Sequence, residues 1–213
     1  YNLNNKLVIA ISSRALFDLE EENHIFEKDG LEAYYKYQLE NEDKPLKKGT
    51  GYRLVENLLR INSFFSKDEK EVEVIILSKN NAATSLRITN AINELKLDIV
   101  RSAWTSGTNI SNYLKAFKVD LFLSADEDDV LNAIENGVAA AKILPSNEDI
   151  NNTSNEQVRI AFDGDAVLFS EESELIYKNH GLDAFIEHEK LNKDNPLEMG
   201  PFAKLLLTIA KIQ

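Results

Sequence analysis

The chain has 213 residues, with 43% apolar and 28% charged side chains and no cysteine. That is ordinary for a soluble globular protein of one large or two small domains; it excludes disulfides and thiolate metal sites and suits a reducing cytoplasm. The net charge of −12 argues against a nucleic-acid polymer as partner, because such binding neutralises phosphates with Lys and Arg. No run approaches the ~18 apolar residues of a membrane span, and no secretory pattern follows Tyr1. A small phosphorylated ligand stays open, since a bound cation can invert the local field.

In chain order, Leu7 to Ile11 is a short apolar run that predicts a buried strand. Ala15 to Gln38 reads as helix broken at Asp29-Gly30, and the polar loop from Glu42 to Gly51 holds Pro45, Gly49 and Gly51. Tyr52 to Phe65 places Leu54, Leu58, Ile61 and Phe65 at helical spacing. Strands are expected at Val72 to Leu77, Ile99 to Trp104, Leu121 to Ser124 and Ala139 to Leu144. Between them lie helices at Asn81 to Leu95, Ser111 to Phe117 and Asp128 to Asn136, the last ended by Gly137. This alternation predicts an α/β fold with a doubly wound, largely parallel sheet. Pro145 to Gln157 is rich in Ser, Asn and Asp without periodicity and reads as a linker. Beyond it the pattern gives one strand, a broken helix, a loop and a final helix, Phe202 to Ile212.

The strand after the linker, Ile160 to Phe162, ends in Asp163-Gly164-Asp165 before a second apolar run, Ala166 to Phe169. Two carboxylates at the C-terminal end of a strand are costly to bury without a partner. Open α/β sheets bind ligands at that end. Mg²⁺ is the natural partner, because it takes oxygen ligands and typically one or two protein carboxylates. A loop with two solvated Asp residues is the bland alternative.

The two ends of the chain repeat one another. Ile25-Phe-Glu-Lys-Asp-Gly-Leu-Glu-Ala-Tyr34 aligns with Ile176-Tyr-Lys-Asn-His-Gly-Leu-Asp-Ala-Phe185, at a constant offset of 151. The loop from Asn41 to Gly49 aligns with Asn192 to Gly200 at the same offset, with Pro, Leu and Gly in step. We expect two copies of one domain: residues 1–145, a linker at 146–157, and the start of a second copy at 158–213. Ser12 then stands where Asp163 stands, and Arg14 where Asp165 stands. The first copy lacks both carboxylates. Arg14 could hold a phosphate through its bidentate fork or pair with an acid. A single strand with two helices cannot form an independent α/β domain. It must join the first copy's sheet, pair with another chain, or belong to a longer protein.

Phe162-Asp-Gly-Asp-Ala-Val-Leu-Phe169 resembles the first motif of the haloacid-dehalogenase (HAD) phosphatase superfamily, an apolar strand followed by D-x-D-x-[TV]. Asp163 to Ser170, His180-Gly-Leu-Asp183, His188-Glu-Lys190 and Asn195-Pro-Leu197 are similar to the cytosolic 5′-nucleotidase type I family. So are Ile11 to Phe17, Tyr37 to Glu40, Tyr113 to Ala116 and Leu123 to Asp126. The resemblance runs from about Leu7 to Gln213. It implies a HAD-like fold whose second copy is incomplete, with the remaining motifs expected past Gln213. It also implies Mg²⁺-dependent hydrolysis of nucleoside 5′-monophosphates such as AMP in the cytoplasm. Asp163 would be the nucleophile, Asp165 the general acid–base, and both, with Asp126, metal ligands. Ser78, Lys115 and Asp126 follow or precede strands where HAD domains place their second, third and fourth motifs. Each has a plain alternative: a strand-end hydroxyl, a solvated helix charge and a helix N-terminus. Ser78, Lys115 and Arg14 are candidate phosphate contacts, and Phe169 a candidate base contact. Ser106 to Asn109 could cradle phosphate with backbone amides. A nucleotide effector, a homo-oligomer and a catalytically inactive, nucleotide-binding module all stay open.

Overall fold

Three runs whose side chains are buried on both faces build the centre of a sheet: β1 (Leu7–Ile11), β4 (Val72–Ser78) and β6 (Leu121–Ser124). Such continuous apolar strands are typical of parallel sheets covered on both sides. The computed structural model describes residues 3, 6–66, 69–145 and 157–212, leaving aside the side chains of residues 165 and 166. It divides into two compact units, Tyr1–Val158 and Arg159–Gln213.

In the first unit β5 (Arg101–Trp104) and β7 (Ala140–Lys142) flank the central strands in the order β5-β4-β1-β6-β7, and all pairs are parallel. The chain moves outward from β1 through β4 to β5, then returns to the other side of β1 as β6 and β7. β1 therefore lies at the switch point, beside which ligands bind outside the carboxyl ends of the strands. Residues alternate across the sheet. Val8 and Ala10 of β1, with Ile75 and Leu77 of β4, pack into one core with Ile110, Leu114, Val130 and Ala133. The last four belong to or border α5 (Ser111–Ala116) and α6 (Glu127–Glu135). On β1, Leu7, Ile9 and Ile11 point the other way and are equally buried.

Between β1 and β4 lie α1 (Ser13–Leu16), a two-residue ribbon of β2 (Phe17–Asp18) against β3 (Lys47–Lys48), α2 (Glu20–Glu40) and α3 (Tyr52–Arg60). α2 is two helices merged across Gly30, at φ 84° and ψ −178°. That backbone region is essentially open to glycine alone. The expected helix from Asn81 begins later, as α4 (Leu86–Glu94). Asn81 and Thr84 bond each other's backbone amides (Thr84 N–H to Asn81 Oδ1, 2.9 Å; Asn81 N–H to Thr84 Oγ1, 3.1 Å) and hold a turn instead.

The second unit contains α7 (Glu172–Asn192), again broken at a glycine, Gly181, with φ 82° and ψ −177°. α8 (Ala203–Ile212) follows. The expected strand at Ile160 to Phe162 does not form: these residues pair with no sheet, and Ile160 is 44% exposed. A strand needs a neighbour for its amides and carbonyls, and all five strands of the parallel sheet come from the first unit. Asp163 and Asp165 therefore do not follow a strand in this structure. Asp163 caps a π-helical turn, Gly164–Leu168. Of the expected linker, residues 146–156 lie outside the described residues.

Candidate active site

The carboxyl ends of β1, β4 and β6 open into a cavity of about 560 Å³. Its lining residues all belong to the first unit. The floor is polar: Ser12, Ser13 and Arg14 follow β1, Ser78 to Asn81 close β4, and Ser124 ends β6. The opposite wall comes from α2 and is largely apolar, with Phe26 and Leu31 either side of the Gly30 break, beside Tyr34. The Phe26 and Tyr34 rings meet edge to face at 5.9 Å.

Backbone ends and hydroxyls hold this floor together. Ser12 Oγ caps α1 by accepting the Ala15 N–H (3.3 Å) and also accepts the Ala125 N–H at 3.4 Å. Ser13 Oγ and Ser78 Oγ lie 3.0 Å apart. Tyr34 donates to Asn80 Oδ1 and accepts from Gln38 Nε2, both at 3.0 Å. Burial pushes the Tyr34 hydroxyl above its ordinary range. Glu22 reaches the cavity with its carboxylate bonded to Arg87 at 2.6 Å, both side chains 5% exposed. Lys79 bonds Asp129 at 2.7 Å. Burial raises the Asp129 carboxyl even against that bond. Burial works against the Lys79 ammonium too, but the Asp129 bond and the nearby Asp126 and Asp128 carboxylates outweigh it and hold Lys79 above its usual value. Two polar groups on the lining residues, Arg14 Nε and Asn80 Nδ2, are buried without a hydrogen-bond partner among the described residues.

The expected site residues divide between the units. Ser78, Arg14 and Asp126 come together in this cavity. Arg14 also makes a long contact with Glu20 at 3.4 Å, on the exposed side. Asp126 Oδ1 caps α6 by accepting the Asp129 N–H at 3.0 Å. Lys115 is not among the lining residues; it bonds Asn136 Oδ1 at 3.2 Å on the exposed face of α5. The cation that the sequence reading missed is Lys79, the residue directly after Ser78 at the end of β4. The Ser106 to Asn109 turn borders the cavity through Ser106 and Gly107 but offers no amide cradle there. The Ser106 N–H bonds the Asn80 carbonyl (3.1 Å) and the Gly107 N–H the Lys79 carbonyl (2.8 Å).

In the second unit Asp163 borders a smaller depression with Glu174, Tyr177, Leu182 and Phe185. Its side chain is exposed, and Oδ1 accepts the Gly164 N–H at 2.7 Å. Phe169 is 45% exposed and bridges Met199 in antiparallel fashion. The Asp165 side chain lies outside the described residues. Among the described residues no three His, Cys, Asp or Glu are grouped to hold a metal, and no helix is long and apolar enough to cross a membrane.

The human protein cytosolic 5′-nucleotidase 1B is 36% identical over 213 residues, covering 98% of this chain and 35% of that relative. The chain thus spans about a third of the length of that curated relative. A family profile described as 5′-nucleotidase matches residues 1–213. With that match running from the first residue to the last, the chain belongs to the 5′-nucleotidase family.

Proposed function

We propose that this chain is part of a Mg²⁺-dependent, HAD-like 5′-nucleotidase that hydrolyses nucleoside 5′-monophosphates, AMP-like substrates in particular. One observation carries the assignment of roles. Asp163 (φ −72°, ψ 153°) and Ser12 (φ −74°, ψ 153°) hold the same backbone conformation, each capping the turn that follows it. Ser12 does so at a strand end on the floor of a ligand-sized cavity. The second unit thus presents a carboxylate at the step of the motif where the first presents a hydroxyl. The matching glycine breaks at Gly30 and Gly181 support a common origin for the two units.

Asp163 attacks phosphorus; the P–O5′ bond breaks as the bond from carboxylate oxygen to phosphorus forms, dividing one hard step into two. Asp165 gives its proton to the departing O5′. It then takes a proton from the water that attacks the aspartyl-phosphate, so inorganic phosphate leaves, Asp163 returns as a carboxylate and Asp165 returns to its protonated form. Asp163 is exposed and has an oxygen beyond the one bonded to Gly164, and Mg²⁺ asks for only one or two protein carboxylates; Asp163 suits that cation. When bound by Asp163 and Asp165, Mg²⁺ supplies neutralisation of the phosphoryl oxygens. Phe169, four residues on from Asp165 and exposed, is the base contact of this reading.

The test is phosphate release from AMP by the full-length enzyme, with and without Mg²⁺. Asp163→Asn abolishes it, because an amide is a poor nucleophile, and Asp165→Asn slows it by about 10²–10⁴-fold. Near-normal turnover by the Asp163 variant rules out the covalent route through this residue.

A further inference from the structure

We propose that the cavity of the first unit is a separate, non-hydrolysing binding site for a nucleoside 5′-monophosphate. The nucleoside part rests on the family reading above; the phosphate cup rests on the geometry alone.

The floor presents partners for an anion. Arg14 lines it with its side chain 34% exposed and a long, 3.4 Å contact to Glu20, and a guanidinium fork suits phosphate oxygens. The Ser13 and Ser78 hydroxyls, 3.0 Å apart, lie on the same floor. The wall presents the complementary chemistry. Phe26 and Leu31 line the cavity yet remain 48% and 64% exposed. The edge-to-face contact with Tyr34 fixes the Phe26 ring. A phosphate at the serines with a flat base against Phe26 satisfies both ends, and about 560 Å³ is ordinary for a small-molecule pocket.

The same floor cannot cleave what it holds. Ser12 replaces the attacking carboxylate, and its oxygen accepts two backbone N–H groups with no carboxylate or imidazole bonded to it. Arg14 replaces the acid, and a guanidinium does not give up its proton in a protein. The carboxylates nearby define the charge balance. Glu22 is neutralised by Arg87 and Asp129 by Lys79. Asp126 caps α6 by accepting the Asp129 N–H and borders the cavity, so it is the carboxylate that a phosphate would face unfavourably.

Calorimetric titration of the chain carrying Asp163→Asn, without Mg²⁺, tests this with AMP, adenosine and inorganic phosphate as probes. AMP should bind at one site and remain unhydrolysed. Arg14→Met should weaken AMP by about 10- to 100-fold, the range of a lost charge-assisted bond, and leave adenosine unchanged; Arg14→Lys should recover part of the loss. Phe26→Ala should weaken AMP and adenosine alike. Asp126→Asn should tighten AMP, a gain that misfolding cannot imitate. AMP affinity unmoved by Arg14→Met, or weakened by Asp126→Asn, overturns the proposal. Phosphate release by the unsubstituted full-length protein with Mg²⁺ is followed in parallel. Binding without release sinks the catalytic role of Asp163 and leaves this site standing; release with no first-unit binding does the reverse.

Discussion

The ion pair of Arg87 and Glu22 is the most exacting test of how the first unit supports its cavity. Arg87 bonds Glu22 at 2.6 Å and the Lys44 carbonyl at 2.9 Å, and reaches Gln38 Oε1 at 3.5 Å. Both charged side chains are 5% exposed. Arg87→Met fills similar space but leaves the Glu22 carboxylate buried without its counter-ion and the Lys44 carbonyl without its donor. Breaking one side of a buried pair costs about 3–5 kcal/mol. At about 2–4 °C per kcal/mol for a chain of this size, the melting temperature should fall by roughly 6–20 °C. Removing both charges with Arg87→Met and Glu22→Gln should recover a large part of the loss, because replacing a whole buried pair is often near neutral. Urea unfolding followed by fluorescence of Trp104 reads this unit: it is the only tryptophan and sits in β5. A single-variant loss below about 1 kcal/mol, or a double variant as costly as the sum of its parts, refutes the reasoning.

Gly30→Ala and Gly181→Ala should each cost about 1–3 kcal/mol, since both glycines have positive φ and no atom stands within 4 Å of an added Cβ; thermal melts that do not move would show that neither break is required. A Cβ at Gly200 would meet the Val167 and Phe169 carbonyl oxygens at 2.4 Å. Gly200→Ala should therefore disturb the Asp165 turn and lower phosphate release while the Trp104-detected melt stays put; unchanged release would count against the turn's role. Asp129 has a pH signature. Burial lifts its carboxyl above 3.8 in the folded state, so its contribution is full below that value and is lost as pH rises through the folded one. Asp129→Asn should flatten that decline in urea titrations carried upward from about pH 4, and an unaltered slope would show that Asp129 does not carry it.

The centre of the sheet was legible because β1, β4 and β6 are runs of apolar residues too short for helices, separated by helices with clear ends. Asp126 caps α6, and Gly137 ends it with a positive φ of 77°. What escaped reading was set by contacts distant in sequence or by very short elements. The β2–β3 ribbon has two residues a side, with no periodicity to detect. Ile160 to Phe162 has strand composition, but pairing decides a strand, and composition says nothing of whether a partner is present. At the site, Ser78 and Arg14 were legible as residues that follow strands. Lys115 was chosen for its place in a motif order, yet its helix turns it toward Asn136. Lys79 was overlooked although it adjoins Ser78, because its use depends on Asp129, fifty residues away and next to it only in the fold.

The two motif positions separate holding a ligand from reacting with it. On the proposed reading, a strand end, a glycine-broken helix and a turn capped by the motif's first residue form the phosphate site of the first unit. A carboxylate at that cap adds a nucleophile and a cation ligand, but also charge that must be compensated before an anion can approach. Serine at the same step keeps the cap, since a hydroxyl accepts an N–H as Ser12 does, and removes both the charge and the nucleophile. Arginine two residues on then turns the local field toward anions. In this chain the hydroxyl and guanidinium stand in the unit with the well-formed cavity, and the carboxylates stand in the other. If the two units share one origin, as proposed, retention and hydrolysis are different demands on one backbone, and residues 12 and 14 against 163 and 165 are where the units would diverge in meeting them.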